Sequence, residues 1–556
     1  MLPDLFLLPE ERGNPDTRID ARHPPGVAWS TGNSVRPLVH GGPYFAELHE
    51  RISATGPGDL VLFTDWRSDP DEQLTDDPAQ TFSATLCAAA RRGVVVRGLL
   101  WRSHARRFGF HAERSRLLGL QLEEAGGECL RDMRVAPGGS HHQKFVVIRH
   151  VDDPARDIAY VGGIDVCHSR RDTARHEGDR QVIGMPQVYG PRPAWHDVQS
   201  AVRGPAVHDL ETTFRERWED STPLTLNPGR LASSLLQQED LDPDALPEQA
   251  PPPPSPPDAH EAVQVLRTYP KLLTKGFDFA TDGERSVARA NAKVVRSARR
   301  LIYLEDQYLW SEEVGRHFGQ ALEDNPELRM IAVLPIVPDM DGALTGPAQL
   351  YGRSLAMDLL IEAGGDRVAL FGLTSPAGHP VYVHAKVCVV DDRWASVGSD
   401  NFNRRSWTTD SELAVAVQDE RVDRNGGVPA DAFALRLRRE LVAEHLDLAP
   451  EEVPDDPDAL WDLMGAAADA LDAWYGDRGP SRGRVHVPRP KGLRRGTAVR
   501  WRRPARPVTG DPRTARPAGR LRRLGPPELT RLQRLWAPRM YDAIDPDGAL
   551  NNDSID

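Results

Sequence analysis

The chain carries the same series of landmarks twice, and this duplication limits its fold more than any other feature. LVLFTDW (60–66) and LIYLEDQYLW (301–310) are apolar, strand-like runs that end at Asp65 and near Asp306. A second apolar run follows each, GVVVRGLLW (93–101) and LRMIAVLPIV (328–337). Helix-type segments then close on the same tetrapeptide, Glu-Ala-Gly-Gly, at 124–127 and 362–365. Next come SHHQKFVVI (140–148) and YVHAKVCVV (382–390), and after them the small-residue turns YVGGID (160–165) and ASVGSDN (395–401). Asp65 precedes His142 by 77 residues and Asp306 precedes His384 by 78. Strands alternating with helices imply an α/β protein with crossover connections. The expected architecture is two duplicated α-β-α halves packed about a pseudo-twofold axis, each bringing its His-x-Lys strand to a shared centre at their interface.

The Pro-rich segment EQAPPPPSPPDAH (248–260) divides the repeats. Its prolines impose extended polyproline geometry and are expected to stay out of a core. The expected organisation is therefore a first half at 1–247, the linker at 248–260, a second half at 261–478 and a basic extension at 479–556. Mean hydropathy is −0.50, and no apolar stretch approaches the ~20 residues of a spanning helix. The first residues, MLPDLFLLPEERGNPD, lack the basic and apolar regions of a secretory signal. Cys87, Cys129, Cys167 and Cys388 are scattered singly, which favours reduced thiols and a cytoplasmic placement, with contact at a membrane periphery allowed. Net charge is −13, yet fifteen Lys/Arg and one acid, Asp511, lie between Ser481 and Leu524. A solvated surface segment explains that basic stretch, and so does contact with anionic lipid or nucleic acid.

The chemistry is read from the His-x-Lys pairs. In a strand, residues two apart share a face, so His142 sits with Lys144 and His384 with Lys386. An imidazole and an ammonium set side by side and partly buried need an anion between them. Two facing pairs suit a phosphate ester: one His attacks phosphorus, the other protonates the leaving oxygen, and the lysines hold the non-bridging oxygens. The charge that two-metal enzymes draw from ions comes from lysines instead, so no metal or cofactor is expected.

The duplicated His-x-Lys pattern resembles the phospholipase D superfamily, whose signature is His-x-Lys-x4-Asp carried twice. The second copy is complete in His384, Lys386 and Asp391, followed by Ser399 and Asn401 in GSDN. HHQK, GGID, TDW (64–66), VLRTYP (265–270), LEDQY (304–308) and DSE (410–412) are similar to the plant and animal branch, over about residues 30–475, without its N-terminal lipid-binding modules. The first copy has Arg149 where the signature has Asp. That position is at odd offset from the His and points to the other strand face, so the resemblance implies a structural role there, with Asp152 or Asp153 as neighbouring substitutes. The resemblance also supplies acidic partners for the catalytic histidines: Glu412 for His384, with Asp410 as the alternative, and Asp197 for His142. Gly162, Gly163 and Asp165 in one half, and Gly398, Ser399 and Asn401 in the other, would line the substrate site. Asn401 can donate to a phosphoryl oxygen, and Asp165 would orient a lysine.

The implied activity is hydrolysis or transphosphatidylation of a glycerophospholipid such as phosphatidylcholine. It would release phosphatidic acid and the head group through a phosphohistidine, on His142 by the resemblance. A phosphatidyltransferase of the cardiolipin synthase kind, a nuclease of the same superfamily and a catalytically silent membrane-binding member are the alternatives. A monomer acting at a membrane surface is expected, the basic segment 481–524 contacts anionic lipid in this reading, and nucleic acid is not the expected partner.

Overall fold

The structure is a computed structural model. It describes the chain apart from residues 1, 104–111, 226, 229–230, 233, 235–240, 274, 340–344, 423–426, 477–514 and 547–556. The first half supplies β1 (Ser30–Val39), β2 (Leu60–Asp65), β3 (Val95–Trp101), β4 (Glu128–Asp132), β5 (Phe145–Arg149), β6 (Ile158–Gly162), β7 (Ala194–His196) and β8 (Val198–Arg203). The second supplies β9 (Glu261–Tyr269), β10 (Glu284–Arg285), β11 (Leu301–Asp306), β12 (Arg329–Val333), β13 (Val368–Leu373), β14 (Val381–Val383), β15 (Lys386–Val390), β16 (Trp394–Gly398) and β17 (Glu412–Asp419). A last strand, β18 (Leu521–Arg523), follows far along the chain.

Fourteen of these strands make the duplication visible as a single palindrome. The large sheet runs β18-β13-β12-β11-β15-β16-β17-β9-β1-β8-β6-β5-β2-β3-β4. Reading outward from the central β9–β1 contact, β17 answers β8, β16 answers β6, β15 answers β5, and β11, β12 and β13 answer β2, β3 and β4. Within each half the β2–β3–β4 and β11–β12–β13 ladders are parallel, as crossover helices require, and the remainder are antiparallel.

Both sheet faces are covered, which is why the strands read as continuous apolar runs rather than alternating ones. In β2, Val61 and Phe63 face a core shared with the helices Gly41–Ser53, Phe82–Arg91 and Ala112–Glu124. Leu60 and Leu62 face the opposite way. In β11, Ile302 and Leu304 pack towards the helices Ser286–Arg296, Glu312–Asp324 and Thr345–Gly364. The third core is common to both halves: Leu62, Val147 and Val198 of the first join Tyr303, Val387 and Val415 of the second under the helices Ala206–Trp218 and Phe433–Leu446. The expected fold class, two α-β-α halves joined about a pseudo-twofold, is the one observed.

Three sequence expectations change. The His-x-Lys segments lie at the mouths of their strands rather than inside them: β5 begins at Phe145, after Lys144, and β15 begins at Lys386 itself. The linker is not excluded from the interior, because Pro253 and Pro256 are buried and the carbonyls of Ala250 and Pro251 accept hydrogen bonds from Arg149. The end of the basic segment is not a free arm. Arg520, Arg522 and Arg523 pair with Asp447, Asp472 and Asp469, and β18 adds antiparallel to β13. The remainder of the segment, 481–514, lies outside the described residues. All four cysteines are buried and free.

Arg149 is nine-tenths buried or more, between Asp157 (2.6 Å) and Glu211 (2.5 Å). Asp152 and Asp153 are exposed and do not take the missing carboxylate's place. In the second half Asp391, at φ +52°, accepts from the backbone N–H groups of Arg299, Arg300 and Leu301 and so ties the end of β15 to the start of β11. The first half makes the same tie from the other side. Asp59, just ahead of β2, accepts from Val151 N at 3.0 Å, just past β5. The carboxylate has moved across the junction, which leaves position 149 free to become an arginine.

Candidate functional site

The two His-x-Lys segments meet where each half lends a strand end to the other. His141 forms a parallel bridge with Ser411, and His142 N donates to Ser411 O at 2.9 Å. At the equivalent place β14 pairs in parallel with β7, and His384 N donates to His196 O at 2.7 Å. The residue that follows each acceptor is a carboxylate, Glu412 or Asp197. This ladder decides the partners: His142 Nδ1 lies 3.0 Å from both Glu412 oxygens, and His384 Nδ1 lies 2.7 Å from Asp197 Oδ2. The pairing is the reverse of the sequence expectation, which kept Asp197 with His142 and Glu412 with His384. Asp410, the alternative for His384, is also elsewhere: its Oδ1 accepts from Ser140 N at 2.7 Å and it pairs with Arg405.

A carboxylate can only accept, so Nδ1 of each imidazole carries the proton and Nε2 presents its lone pair. Burial, then Lys144, holds His142 well below the usual imidazole range. Burial, then Lys386 and Arg170, does the same for His384. Both rings are therefore neutral and nucleophilic until an anion enters. His384 also feels Lys144 and His142 from the opposite half, so the two pairs form one electrostatic centre. Burial pushes Glu412 up to about 7 and raises Asp197.

The lysines are tied back to their own segments. Lys144 Nζ donates to His142 O at 2.7 Å and stands 3.6 Å from Asp165 Oδ1. Lys386 Nζ donates to His384 O and, at 3.1 Å, to Gln307 Oε1. Asp165 accepts from the N–H groups of Trp66 and Arg67 as well. Ser399 Oγ donates to Glu412 Oε2 at 2.5 Å. Its counterpart Gly163 could not be a serine, because a Cβ there would lie 2.2 Å from Asp197 Oδ1. Asn401 is 4% exposed and its Oδ1 has no hydrogen-bond partner.

Lys386 gives the centre a pH dependence. Burial pushes it down from 10.5 to about 8, against the pull of Asp197 and Asp306. Between about 8 and 10.5 the unfolded chain therefore holds a proton the folded one has lost, and the fold gains stability as pH rises through that window. Anion binding goes the other way. The inhibition constant of a soluble phosphodiester, whose charge is constant, is expected to rise about tenfold per pH unit above about 8. Lys386→Arg should remove the inflection. A flat profile in the unsubstituted protein would refute the assignment of Lys386 as the titrating cation.

Several neighbours were not singled out as site residues from the sequence. Asp65 and Asp306, which served there only as landmarks, are fully buried behind the lysines. They accept from the N–H groups of Val166 and Phe402, at equivalent places in the two halves. Arg170 is 8% exposed and lies with its guanidinium carbon 3.9 Å from the centre of the Trp195 ring. That ring is 5.0 Å from His384. The RRD stretch after GGID offered a signal, since a short, positively charged turn leaving the end of a site-lining strand is a natural source of a further cation.

Two groups among the described residues have donor atoms close enough to hold a metal ion: His40, His176, His196 and Glu444, and His196, Glu305 and His445, with donor atoms within 4.8 Å in each. Three imidazoles and a carboxylate are a donor set of the zinc type. Although burial alone would lower it, Glu305 and Glu444 push His196 up to about 10. The sequence reading named no metal, and positions 40, 176, 196 and 444 are too far apart to show a ligand spacing.

Comparison with known proteins adds the following. The family model described as phospholipase D matches residues 120–317, and the one described as cardiolipin synthase, phospholipase D-like domain, matches residues 345–425, so each contains one His-x-Lys pair. Phospholipase D gamma 2 of Arabidopsis thaliana is 26% identical over 467 residues, covering 65% of this chain and 54% of its own. Phospholipase D alpha 2 of Oryza sativa subsp. japonica is 26% identical over 462 residues, covering 62% and 54%. The chain spans about half the length of the curated relatives it matches. Among solved structures, a phosphatidylserine synthase from Haemophilus influenzae Rd KW20 aligns with a TM-score of 0.47 at 12% identity, over 78% of this chain and 93% of that one.

Proposed function

The chain belongs to the phospholipase D superfamily, and from that premise we propose that it is a phosphodiesterase that cleaves the head group from a glycerophospholipid such as phosphatidylcholine. The observation that carries this reading is the pair of His–carboxylate dyads, with two buried lysines, in one centre built by both halves. A phosphodiester entering between Lys144 and Lys386 brings the negative charge the centre lacks, so His384 takes up a proton from solvent at Nε2 while His142 keeps its Nε2 lone pair. His142 Nε2 attacks phosphorus while the bond from phosphorus to the head-group oxygen breaks. His384 gives that oxygen its proton, and the lipid phosphoryl group remains on His142. His384 then takes a proton from water, the water oxygen attacks phosphorus, and the P–N bond breaks to release phosphatidic acid. An alcohol in place of water yields an exchanged phospholipid by the same steps. Glu412 and Asp197 hold each ring in the tautomer these transfers use and stabilise its charged form.

The test is to incubate the protein separately with phosphatidylcholine vesicles and single-stranded DNA, measuring choline release and strand cleavage. Adding a primary alcohol to the vesicles should divert phosphatidic acid into the alcohol ester. Cut DNA with untouched lipid would overturn this reading in favour of a nuclease.

A further inference from the structure

The helix Gln533–Ile544 packs one face on the protein, and among the described residues nothing covers the other. On the inner face Ala537 and Tyr541 are buried, with Tyr541 against Trp310, ring centres 6.0 Å apart. Trp310 stacks on Tyr308 at 4.0 Å, and Tyr308 follows Gln307, which accepts from Lys386. Three residues, Trp310, Tyr308 and Gln307, therefore connect Tyr541 of the helix to Lys386. Its position is fixed: Asp545 accepts from Arg405 N at 2.8 Å, Ile544 O accepts from Arg405 Nη1 at 2.9 Å, and Thr409 Oγ1 donates to Pro546 O at 3.2 Å.

The outer face carries Leu532 and Leu535, 70% and 76% exposed, the two highest values among the exposed large hydrophobic residues of the described chain. Arg531, Arg534 and Arg539 are exposed around them. Leu535 and Arg539 are four residues apart on the helix, and Leu532, its N-cap residue, precedes Leu535 by three. Asp542 is paired with Arg404 at 3.2 Å, and Arg534 lies within electrostatic reach of Asp358 and donates to Leu529 O at 3.1 Å. Two solvent-facing leucines flanked by three arginines suit a surface that is apolar beneath and anionic on top, because the leucines can enter acyl chains while the guanidinium groups remain with the head groups.

We propose that this outer face is a docking surface for an anionic lipid membrane. The inference deepens the proposed action on phospholipid by holding the protein at its substrate's surface; the binding itself does not require turnover. The test is sedimentation of the full chain with vesicles of phosphatidylcholine alone and of an equimolar mixture with phosphatidylserine. The unsubstituted protein should partition to the mixed vesicles, more weakly at high salt. The doubly substituted Leu532→Ser, Leu535→Ser protein should lose about tenfold or more in partitioning with an unchanged thermal midpoint. Arg531→Gln, Arg534→Gln, Arg539→Gln should flatten the salt dependence. Residues 481–514 are intact in both variants, so binding that survives the leucine change places the contact elsewhere and overturns the proposal. Equal binding to pure phosphatidylcholine, or no vesicle binding by the unsubstituted protein, overturns it as well. A protein that binds as described yet releases no head group would refute the proposed activity and leave this surface standing.

Discussion

Alanine at position 142 or 384 is expected to lower head-group release by about 10³-fold or more, the largest effect of any single substitution in the chain. The two losses differ in kind, and a substrate with an acidic phenol as leaving group separates them. Such a group departs without a proton, so His384→Ala should still let His142 attack, giving a burst of one phenol per protein and then a stall. His142→Ala should give no burst. Isolated protein from the stalled reaction should carry acid-labile phosphoryl label on residue 142. The opposite pattern, a burst with His142→Ala and none with His384→Ala, would reverse the two roles. The carboxylates provide a linked result. Because His142 pairs with Glu412 and His384 with Asp197, the Glu412→Ala change should add little to His142→Ala but multiply with His384→Ala.

Arg149→Asp, which restores the superfamily signature in the first half, is expected to damage the fold. Arg149 neutralises Asp157 and Glu211, and the surroundings of all three are buried. Removing one partner of a buried pair costs about 3–5 kcal/mol, and adding a third carboxylate lies at or beyond the upper end. The thermal midpoint should fall by about 4 °C, read by calorimetry or dye binding. Turnover at low temperature should be largely kept, since Arg149 lies at the far end of β5 from His142. A variant as stable as the unsubstituted protein would show that the arginine is not what compensates those two acids. Arg149→Met, a neutral side chain of similar length, should fall between the two.

The duplicated order of landmarks was enough to place the halves, because each landmark became a corresponding strand or helix end: Asp65 and Asp306 close β2 and β11, and the Glu-Ala-Gly-Gly pair closes two outer helices. The His and Lys positions were legible for the same reason. Their partners were not. Sequence order groups Asp197 with His142 and Glu412 with His384, whereas the choice is made by two short parallel ladders between the halves, His141 with Ser411 and β14 with β7. Nothing in local propensity marks which of many extended segments will meet across an interface. The strand boundaries misled for a related reason. SHHQKFVVI reads as one extended run, but its first residues pair with the other half instead of the main sheet. The His40–His176–His196–Glu444 cluster and the Asp59 tie also depend on contacts between distant positions.

The crossed dyads make each half incomplete as a chemical unit. A half expressed by itself would hold its imidazole without the carboxylate that orients it, and would expose the β9–β1 seam and the apolar core beneath. Two inert fragments, cut in the linker and produced together, should regain activity only as a complex, and a His142→Ala first fragment could not be rescued by an intact second one. The molecule behaves as a dimer whose subunits were fused into one chain. Two copies within one chain need not be identical, and here one carries the signature aspartate, Asp391, while the other carries Arg149.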